Sequence, residues 1–200
     1  MAKKYLEVMS TPAVQQAQAR YYGRAADTHG APVRDPLGEE ERVFIEARDS
    51  FYLATVTETG WPYVQHRGGR PGFLRVLSPT QLAFADYKGN RQMLSTGNVA
   101  INDRASLFLM DYPQQTRLKI IGHVRIADAR DHAELVAQIA EPEARKLVER
   151  VFLIEVVSFD WNCPKYITPR FTLAEITTMT APLRDRIAEL EAQLQATRPR

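Results

Sequence analysis

The sequence contains little of what several classes of protein require. Its 200 residues include a single cysteine, which excludes an internal disulfide and a cysteine-rich zinc site. The four histidines are dispersed and form no helical or hairpin metal pair, so no metal site is predicted. The formal net charge is only +2, and the basic residues are scattered among acidic ones. Nucleic acid is therefore not an expected partner.

Long hydrophobic runs are also missing. No stretch approaches the length of a membrane span, and the N-terminal segment carries Lys3 and Lys4 without the apolar core of a signal peptide. The hydrophobic content of 44% is enough for one ordinary core. We expect a cytoplasmic protein that does not contact a membrane, built as one domain with additional segments.

Two helices are predicted before the first strand. Pro12 stands in the first turn of a helix that runs to about Tyr22, with Ser10 or Thr11 as its cap. A second helix is predicted over residues 38–48, since acidic residues fill its first turn and a basic residue its last. The residues between these helices predict an irregular connection.

From residue 50 onward the apolar pattern has a period of two, which predicts short strands joined by tight turns. Seven such strands indicate an antiparallel barrel or sandwich. Further helices are predicted at about 91–101 and 131–138, the second resuming at 141–149. The predicted strands are residues 51–57, 63–67, 72–77, 81–85, 105–110, 118–126 and 151–158.

The C-terminal segment differs in kind from the rest. Pro182 suits the first turn of a helix over residues 181–196, and apolar residues recur in it at intervals of four, three and four. Two heptads are too short to hold a coiled coil alone. The pattern fits a terminal helix that packs on its own barrel and equally one that contacts a second subunit. The apolar positions are Leu183, Ile187, Leu190 and Leu194.

The most informative stretch is residues 84–91, which joins a predicted strand to a helical segment. Gly89 permits a tight turn, and Lys88 and Arg91 bring positive charge to the place where residues 92–97 would present free backbone N–H groups. This combination suits a phosphate monoester. The loop taken alone fits equally well a solvated basic turn that binds no anion.

Five segments in this order and at these intervals resemble the pyridoxamine 5′-phosphate oxidase-like, FMN-binding split-barrel superfamily over roughly residues 40–175. The resemblance is strongest to its branch of predicted flavin-nucleotide-binding proteins. It implies an α+β fold that is mainly β, with an antiparallel split β-barrel over residues 38–175. A helix and a connection at residues 1–37 precede the barrel, and a helical tail at residues 176–200 follows it. The five segments are residues 65–73, 84–91, 98 with 102–107, 117–122 and 159–170.

The resemblance also implies FMN as the cofactor, held at the interface of a homodimer. In such proteins the first of these segments gives a basic residue to the flavin phosphate, which corresponds here to His66 or Arg67. The phosphate loop contributes a serine-arginine-lysine run, of which this chain keeps Arg91; Lys88 could supply the missing charge. The implied cofactor-binding residues are His66, Arg67, Gly68, Asp86, Tyr87, Lys88, Asn90, Arg91, Asn98, Arg117, Trp161 and Arg170.

Three of these residues are implied to lie near the flavin ring. Arg117 stands where the oxidase has a glutamine that contacts the ring, and a cation there would stabilise an anionic reduced flavin. Trp161 and Arg170 resemble residues that approach the flavin of the partner subunit. Taken from the residues alone, Trp161 could instead be core, and His66 could be an ordinary barrel histidine.

One departure from the oxidase pattern concerns the substrate. The oxidase carries an arginine and a histidine between the positions of Trp161 and Arg170, and this chain has neither. Cys163, Lys165 and Tyr166 stand there instead, offering one charge and a stacking face to a different small molecule. From the residues alone, Cys163 fits an inert small side chain.

The expected function is that of an FMN-dependent oxidoreductase that passes hydride or electrons between a reduced nicotinamide and a small molecule. No catalytic acid or base is indicated. The alternatives are a flavin-binding or storage protein without turnover, a pyridoxamine or pyridoxine 5′-phosphate oxidase, and a barrel that holds a deazaflavin or haem.

Overall fold

Seven antiparallel strands form one curved sheet in the computed structural model, which describes residues 3–161 and 164–197. The order is β2-β1-β5-β6-β7-β4-β3, and the sheet is not closed, so β2 and β3 are its edges. This is the expected α+β split barrel, and all seven predicted strands are present. The strands are β1 Ser50–Val56, β2 Pro62–Gly68, β3 Leu74–Ser78, β4 Gln81–Tyr87, β5 Arg104–Asp111, β6 Thr116–Asp128 and β7 Val148–Trp161.

The period-two pattern places one face of each strand in the barrel. Phe51 and Leu53 of β1 are fully buried, while Tyr52 between them is exposed. Phe84 of β4 stacks on Phe152 of β7, with ring centroids 4.8 Å apart, and also meets Phe51 edge-on. Aromatic packing of this kind stabilises a core beyond the burial of area alone. The guanidinium of Arg67 on β2 lies over two of these rings, 5.4 Å from the Phe84 centroid and 5.1 Å from the Phe152 centroid.

Two helices precede the sheet as predicted, and a third was not foreseen. Thr11 caps the helix Pro12–Tyr22 by accepting a hydrogen bond from the Val14 N–H, and Gly23 ends it with φ of 75°. The unforeseen helix occupies Lys3–Met9. In chain order, α1 is Lys3–Met9, α2 Pro12–Tyr22, α3 Glu39–Glu46, α4 Leu94–Ile101, α5 Ala133–Ile139 and α6 Leu173–Thr197.

The predicted helix over residues 141–149 is wrong. α5 ends at Ile139 and is followed by a 3₁₀ turn at Arg145–Leu147, after which β7 starts at Val148. Pro142 cannot continue a helix, and the strong apolar alternation of β7 extends the strand at both ends beyond the predicted residues 151–158. The basic residue Arg150 therefore lies in a strand, next to β4.

The tail helix begins much earlier than Pro182 suggested. α6 starts at Leu173, and Pro182 lies inside it. Its start is fixed by a capping box: the Glu175 carboxylate accepts the Thr172 N–H at 2.7 Å, and the Thr172 hydroxyl accepts the Glu175 N–H at 3.2 Å. This reciprocal pair satisfies two first-turn donors, so it determines the helix start more strongly than the proline.

The part of the chain that the structure describes offers neither a membrane-spanning helix nor a metal-binding cluster. Within that part, no helix combines the length and the apolar character needed to cross a bilayer. Nor do three or more histidine, cysteine, aspartate or glutamate side chains gather there in a way that could hold a metal ion.

Candidate functional site

A cleft of about 200 Å³ lies where the two ends of the open sheet approach each other. β2 forms one wall and the end of β4 the other, and the loop that leads into α4 lies across the opening. Period-two alternation points every second residue of β2 into the cleft. Its lining comprises Tyr63, Gln65, Arg67, Asp86, Tyr87, residues 89–96, Glu149 and Arg150.

A carboxylate between two guanidinium groups forms the inner wall of the cleft. Arg67 Nη1 donates to Asp86 Oδ1 at 2.7 Å, and Arg150 Nε donates to Asp86 Oδ2 at 3.0 Å. All three side chains are less than one-fifth exposed. The Arg67 Nε–H is buried and has no hydrogen-bond partner among the described residues. Because an unsatisfied buried donor is costly, this group is suited to an acceptor that enters the cleft.

The loop above this wall has an unusual backbone. Arg91 has φ of 60° and Met93 φ of 57°, the left-handed region that residues other than glycine rarely adopt. Asn90 Oδ1 accepts the Gln92 N–H at 3.1 Å and helps to fix the turn. The Arg91 side chain is exposed and forms no hydrogen bond or ion pair with another described residue. Strain of this kind is concentrated at functional sites.

The N-terminus of α4 opens into the same cleft. Met93 occupies the cap position and has no side-chain oxygen to accept a first-turn N–H. The next three residues, Leu94 to Thr96, all line the cleft. Ser95 uses its hydroxyl to donate to Gln65 Oε1 at 2.8 Å, which ties the helix to β2. An uncapped helix start presents partial positive charge to whatever lies in front of it.

The charges of the cleft favour an anion. Its lining holds three arginines, Arg67, Arg91 and Arg150, against two carboxylates, Asp86 and Glu149, which leaves an excess of one positive charge. The N-terminal dipole of α4 adds to this excess. A phosphate monoester at the mouth would meet arginine donors and helix N–H groups together, the arrangement typical of phosphate sites.

Five of the residues predicted to bind the cofactor meet in this cleft, and the strand pattern separates the two candidates on β2. Arg67 faces inward, whereas His66 lies on the opposite face, with its ring 5.7 Å from that of Tyr52. The predicted residues that line the cleft are Arg67, Asp86, Tyr87, Asn90 and Arg91.

Three other predicted residues lie beside or beneath the cleft. Asn98 is buried under α4, where its amide donates to Thr55 Oγ1 at 2.9 Å, so it anchors the helix to β1. Lys88 is exposed and its backbone N–H donates to Leu147 O at 3.3 Å. Gly68 ends β2 and lines an adjoining pocket that shares Tyr87 with the cleft.

The residues expected near the flavin ring lie around the β5–β6 hairpin. Arg117 Cζ stands 5.6 Å from the Phe108 ring centroid, and its Nε–H is buried without a partner among the described residues. Trp161 packs edge-on against Phe44 at 4.8 Å. Arg170 Cζ lies 4.9 Å from the Tyr112 ring centroid. None of these three lines the cleft of its own chain.

The residues predicted for the substrate lie beyond the end of β7. Lys165 and Tyr166 are exposed in a turn, and Tyr166 has φ of 68°. Gln115 holds this segment by donating to Ile167 O at 2.6 Å. Cys163 lies outside the residues that the structure describes.

Sequence reasoning missed two important members of the cleft. Gln65 could have been found, because it shares the inward face of β2 with Arg67 at a spacing of two. Arg150 could not, since it is 64 positions from Asp86 and meets it only through the β4–β7 register. No local motif marks such a pair.

An open antiparallel sheet whose two ends enclose a cationic cleft defines the class as a split barrel. Residues 37–157, more than half of the chain, match the family model of pyridoxamine 5′-phosphate oxidase, so the chain belongs to that family. No curated protein matches the sequence.

Solved structures of similar shape come from several bacteria. An FMN-binding protein from Syntrophomonas wolfei is 9% identical, with 80% of this chain and 93% of that one covered and a TM-score of 0.43. A protein from Clostridium acetobutylicum related to general stress protein 26, of the pyridoxinephosphate oxidase family, is 14% identical over 68% and 94%, with a TM-score of 0.45. HupZ of Group A Streptococcus is 12% identical over 68% and 99%, with a TM-score of 0.48. The family assignment therefore rests on the family model.

Proposed function

We propose that this chain binds FMN, with the phosphate in the cleft between β2, β4 and the start of α4. The observation that carries the proposal is the convergence of unused donors on one small volume. These are the buried Arg67 Nε–H and the Arg91 guanidinium, neither of which has a hydrogen-bond partner within residues 3–161 and 164–197, and the uncapped first turn of α4. Family membership supports the same ligand.

The size of the cleft supports a shared site. Pockets that enclose a whole small ligand usually measure about 300–1,000 Å³, and this cleft measures about 200 Å³. One chain therefore encloses the phosphate end and leaves the ring uncovered. We propose that a second copy covers the ring in a homodimer, with Trp161 and Arg170 of each copy near the flavin of the other.

The proposed activity is oxidoreduction between a reduced nicotinamide and a small molecule. Bound FMN would supply the hydride or electron transfer. The chain's own share would be to fix the phosphate through Arg67 and Arg91 and to place a cation beside the ring. Arg117 is the candidate for that cation, since its buried Nε–H has no partner among the described residues.

We further propose that pyridoxine and pyridoxamine 5′-phosphates are not the substrates. The segment between Trp161 and Arg170 contains neither the arginine nor the histidine that the oxidase carries there. Lys165 remains as an exposed, single point charge, which holds a phosphate poorly. A site built to hydrogen-bond a substrate group rejects an analogue that lacks the group by about four to five powers of ten, and partners missing on the protein side are expected to weaken recognition in the same direction.

The absorbance spectrum of the purified protein tests the cofactor first. The spectrum of oxidised FMN supports the proposal, and a deazaflavin or haem spectrum contradicts it. Anaerobic addition of NADH or NADPH then tests turnover: bleaching of the flavin band supports an oxidoreductase, and an unchanged band supports flavin storage. Formation of pyridoxal phosphate from pyridoxine or pyridoxamine 5′-phosphate at about 1–10 per second would contradict the substrate proposal.

A further inference from the structure

α6 is a 25-residue helix that lies almost wholly in solvent. From residue 173 to 196 every position is exposed except Glu175 and Thr180, which are half-buried. Large apolar side chains are among the exposed ones. Their exposed fractions are 80% for Leu173, 43% for Ile176, 62% for Met179, 65% for Leu183, 55% for Ile187, 42% for Leu190 and 67% for Leu194.

These apolar residues follow a heptad repeat along the whole helix, with alternating spacings of three and four. Ile187 occupies an a position, and Leu183 and Leu190 occupy the flanking d positions. This central set, with a β-branched residue at a and leucine at d, favours two parallel strands, whereas Leu173 and Leu194 at a and Ile176 at d do not add to that preference. The complete seam is Leu173, Ile176, Thr180, Leu183, Ile187, Leu190 and Leu194.

The charges beside the seam fit the same arrangement. In a parallel pair, a g residue of one helix meets the e residue five positions later on the other. Arg186 is a g residue and Glu191 the corresponding e residue. In the single chain Arg186 Nη1 donates to Glu189 Oε2 at 2.8 Å, an exposed pair, and in a parallel pair Arg186 would also face Glu191 of the other helix, twice by symmetry. Pro182 falls at a c position, away from the seam.

We propose that α6 pairs with α6 of a second copy of this chain in a parallel, in-register coiled coil. The early start at Leu173 makes this possible, because the seam spans more than three heptads rather than the two visible after Pro182. The contact is separate from the cleft and does not depend on FMN.

The seam does not fit a membrane surface. An interfacial helix carries a broad apolar face opposite a face rich in lysine and arginine. Seven residues of α6 form the narrow a/d stripe of a coiled coil, and Met179 at a g position borders it. The residues around the stripe have mixed charge: Arg184, Asp185, Arg186, Glu189 and Glu191.

Site-specific cross-linking in the full-length chain tests the pairing. Leu183→Cys and Leu190→Cys would each be made in a Cys163→Ser background and oxidised mildly, with Ala192→Cys at an f position as the matched control. Both seam variants should yield disulfide dimers at least about tenfold faster than the control. A disulfide between identical positions at both sites requires parallel helices in register, since an antiparallel pair aligns like residues only at its centre.

A second variant separates the seam from any dimer made through the barrel. Adding Ile187→Asp to Leu190→Cys should reduce cross-linking to the level of Ala192→Cys, because a charge then enters the seam. Adding Ala188→Asp at a b position should change it less than about twofold. Equal cross-linking of seam and control positions, or cross-linking that survives Ile187→Asp, would overturn the proposal and leave the FMN cleft unaffected.

Discussion

Arg48 and Arg67 occupy nearly identical settings at two places on the barrel. Each side chain is 16% exposed, and each places Nη1 2.7 Å from a carboxylate, that of Asp111 or Asp86. Each also lies over a phenylalanine ring, 4.6 Å from the Phe44 centroid for Arg48 and 5.4 Å from that of Phe84 for Arg67. By ion pairing and burial alone the two arginines are indistinguishable.

They differ in how their remaining donors are used. Arg48 donates through Nε to Phe44 O and through Nη1 to Met110 O, both at 3.2 Å. The Nε–H of Arg67 has no partner among the described residues, and Asp86 is shared with a second arginine. A buried arginine whose donors are used within the fold stabilises the fold, whereas one with an unused donor is available to a ligand. Arg48 is thus structural and Arg67 part of the proposed site.

The largest effect is expected where the polar groups are fully used. The Glu41 carboxylate accepts the Trp161 indole N–H at 2.7 Å and the Gly38 N–H at 2.9 Å. Glu41→Ala removes a helix cap and leaves a half-buried indole donor unsatisfied, at a combined cost of about 2–4 kcal/mol. Urea unfolding should show this loss for Glu41→Ala and less than about 0.5 kcal/mol for its exposed neighbour in Glu40→Ala. Equal losses of unfolding free energy in the two variants would contradict a structural role for the Glu41–Trp161 contact.

The sequence predicted the strands well because alternation is local. The predicted start of α6 at residue 181 was wrong, because Pro182 offered a plausible start, although the Thr172–Glu175 capping box that fixes the start is visible in the sequence. The same alternation could have assigned Arg67 rather than His66 to the cleft. The partnership of Asp86 with Arg150 depends on strand register, which the local sequence does not contain.

The matched arginines provide the second test. Methionine preserves the stem over the ring but removes the charge. Arg48→Met should cost about 1–3 kcal/mol of unfolding free energy, because Asp111 loses its guanidinium partner, whereas Arg67→Met should cost less, because Arg150 still donates to Asp86. Only Arg67→Met should lower the affinity for FMN, by roughly ten- to a hundredfold, because it also removes a charge-assisted contact with the ligand. Fluorescence titration of both variants decides the matter: equal losses of FMN affinity would show that the two settings do not differ in function.

A smaller effect is expected at the polar cluster of Tyr5, Lys119 and Asp160, none of which lines the cleft. Burial raises the pKa of the Tyr5 phenol above 10.0, and nearby Asp160 raises it further, while Lys119 opposes both. The folded state therefore holds this proton more tightly than the unfolded chain. The resulting stabilisation is complete below pH 10 and is lost as the pH rises through the raised pKa.

When the pH is raised from neutral to above 10, the free energy of unfolding should accordingly fall less for Tyr5→Phe than for the parent. Urea unfolding at both pH values measures the two changes. Tyr21→Phe is the control, since that ring is 72% exposed. FMN affinity should be unchanged in both. A parent and a Tyr5→Phe variant with the same alkaline decline would show that this phenol does not contribute.

The central claim is that the cleft recognises the phosphate of FMN, and paired titrations with FMN and riboflavin test it most directly. Riboflavin lacks the phosphate, so the parent chain should bind FMN at least about tenfold more tightly. Arg91→Ala should lower the affinity for FMN by roughly ten- to a hundredfold and change the affinity for riboflavin by less than about twofold. Arg24→Ala, which removes an exposed arginine outside the cleft, should change neither. Equal affinities of the parent chain for the two flavins, or an Arg91→Ala variant that keeps the parent's preference for FMN, would contradict the account.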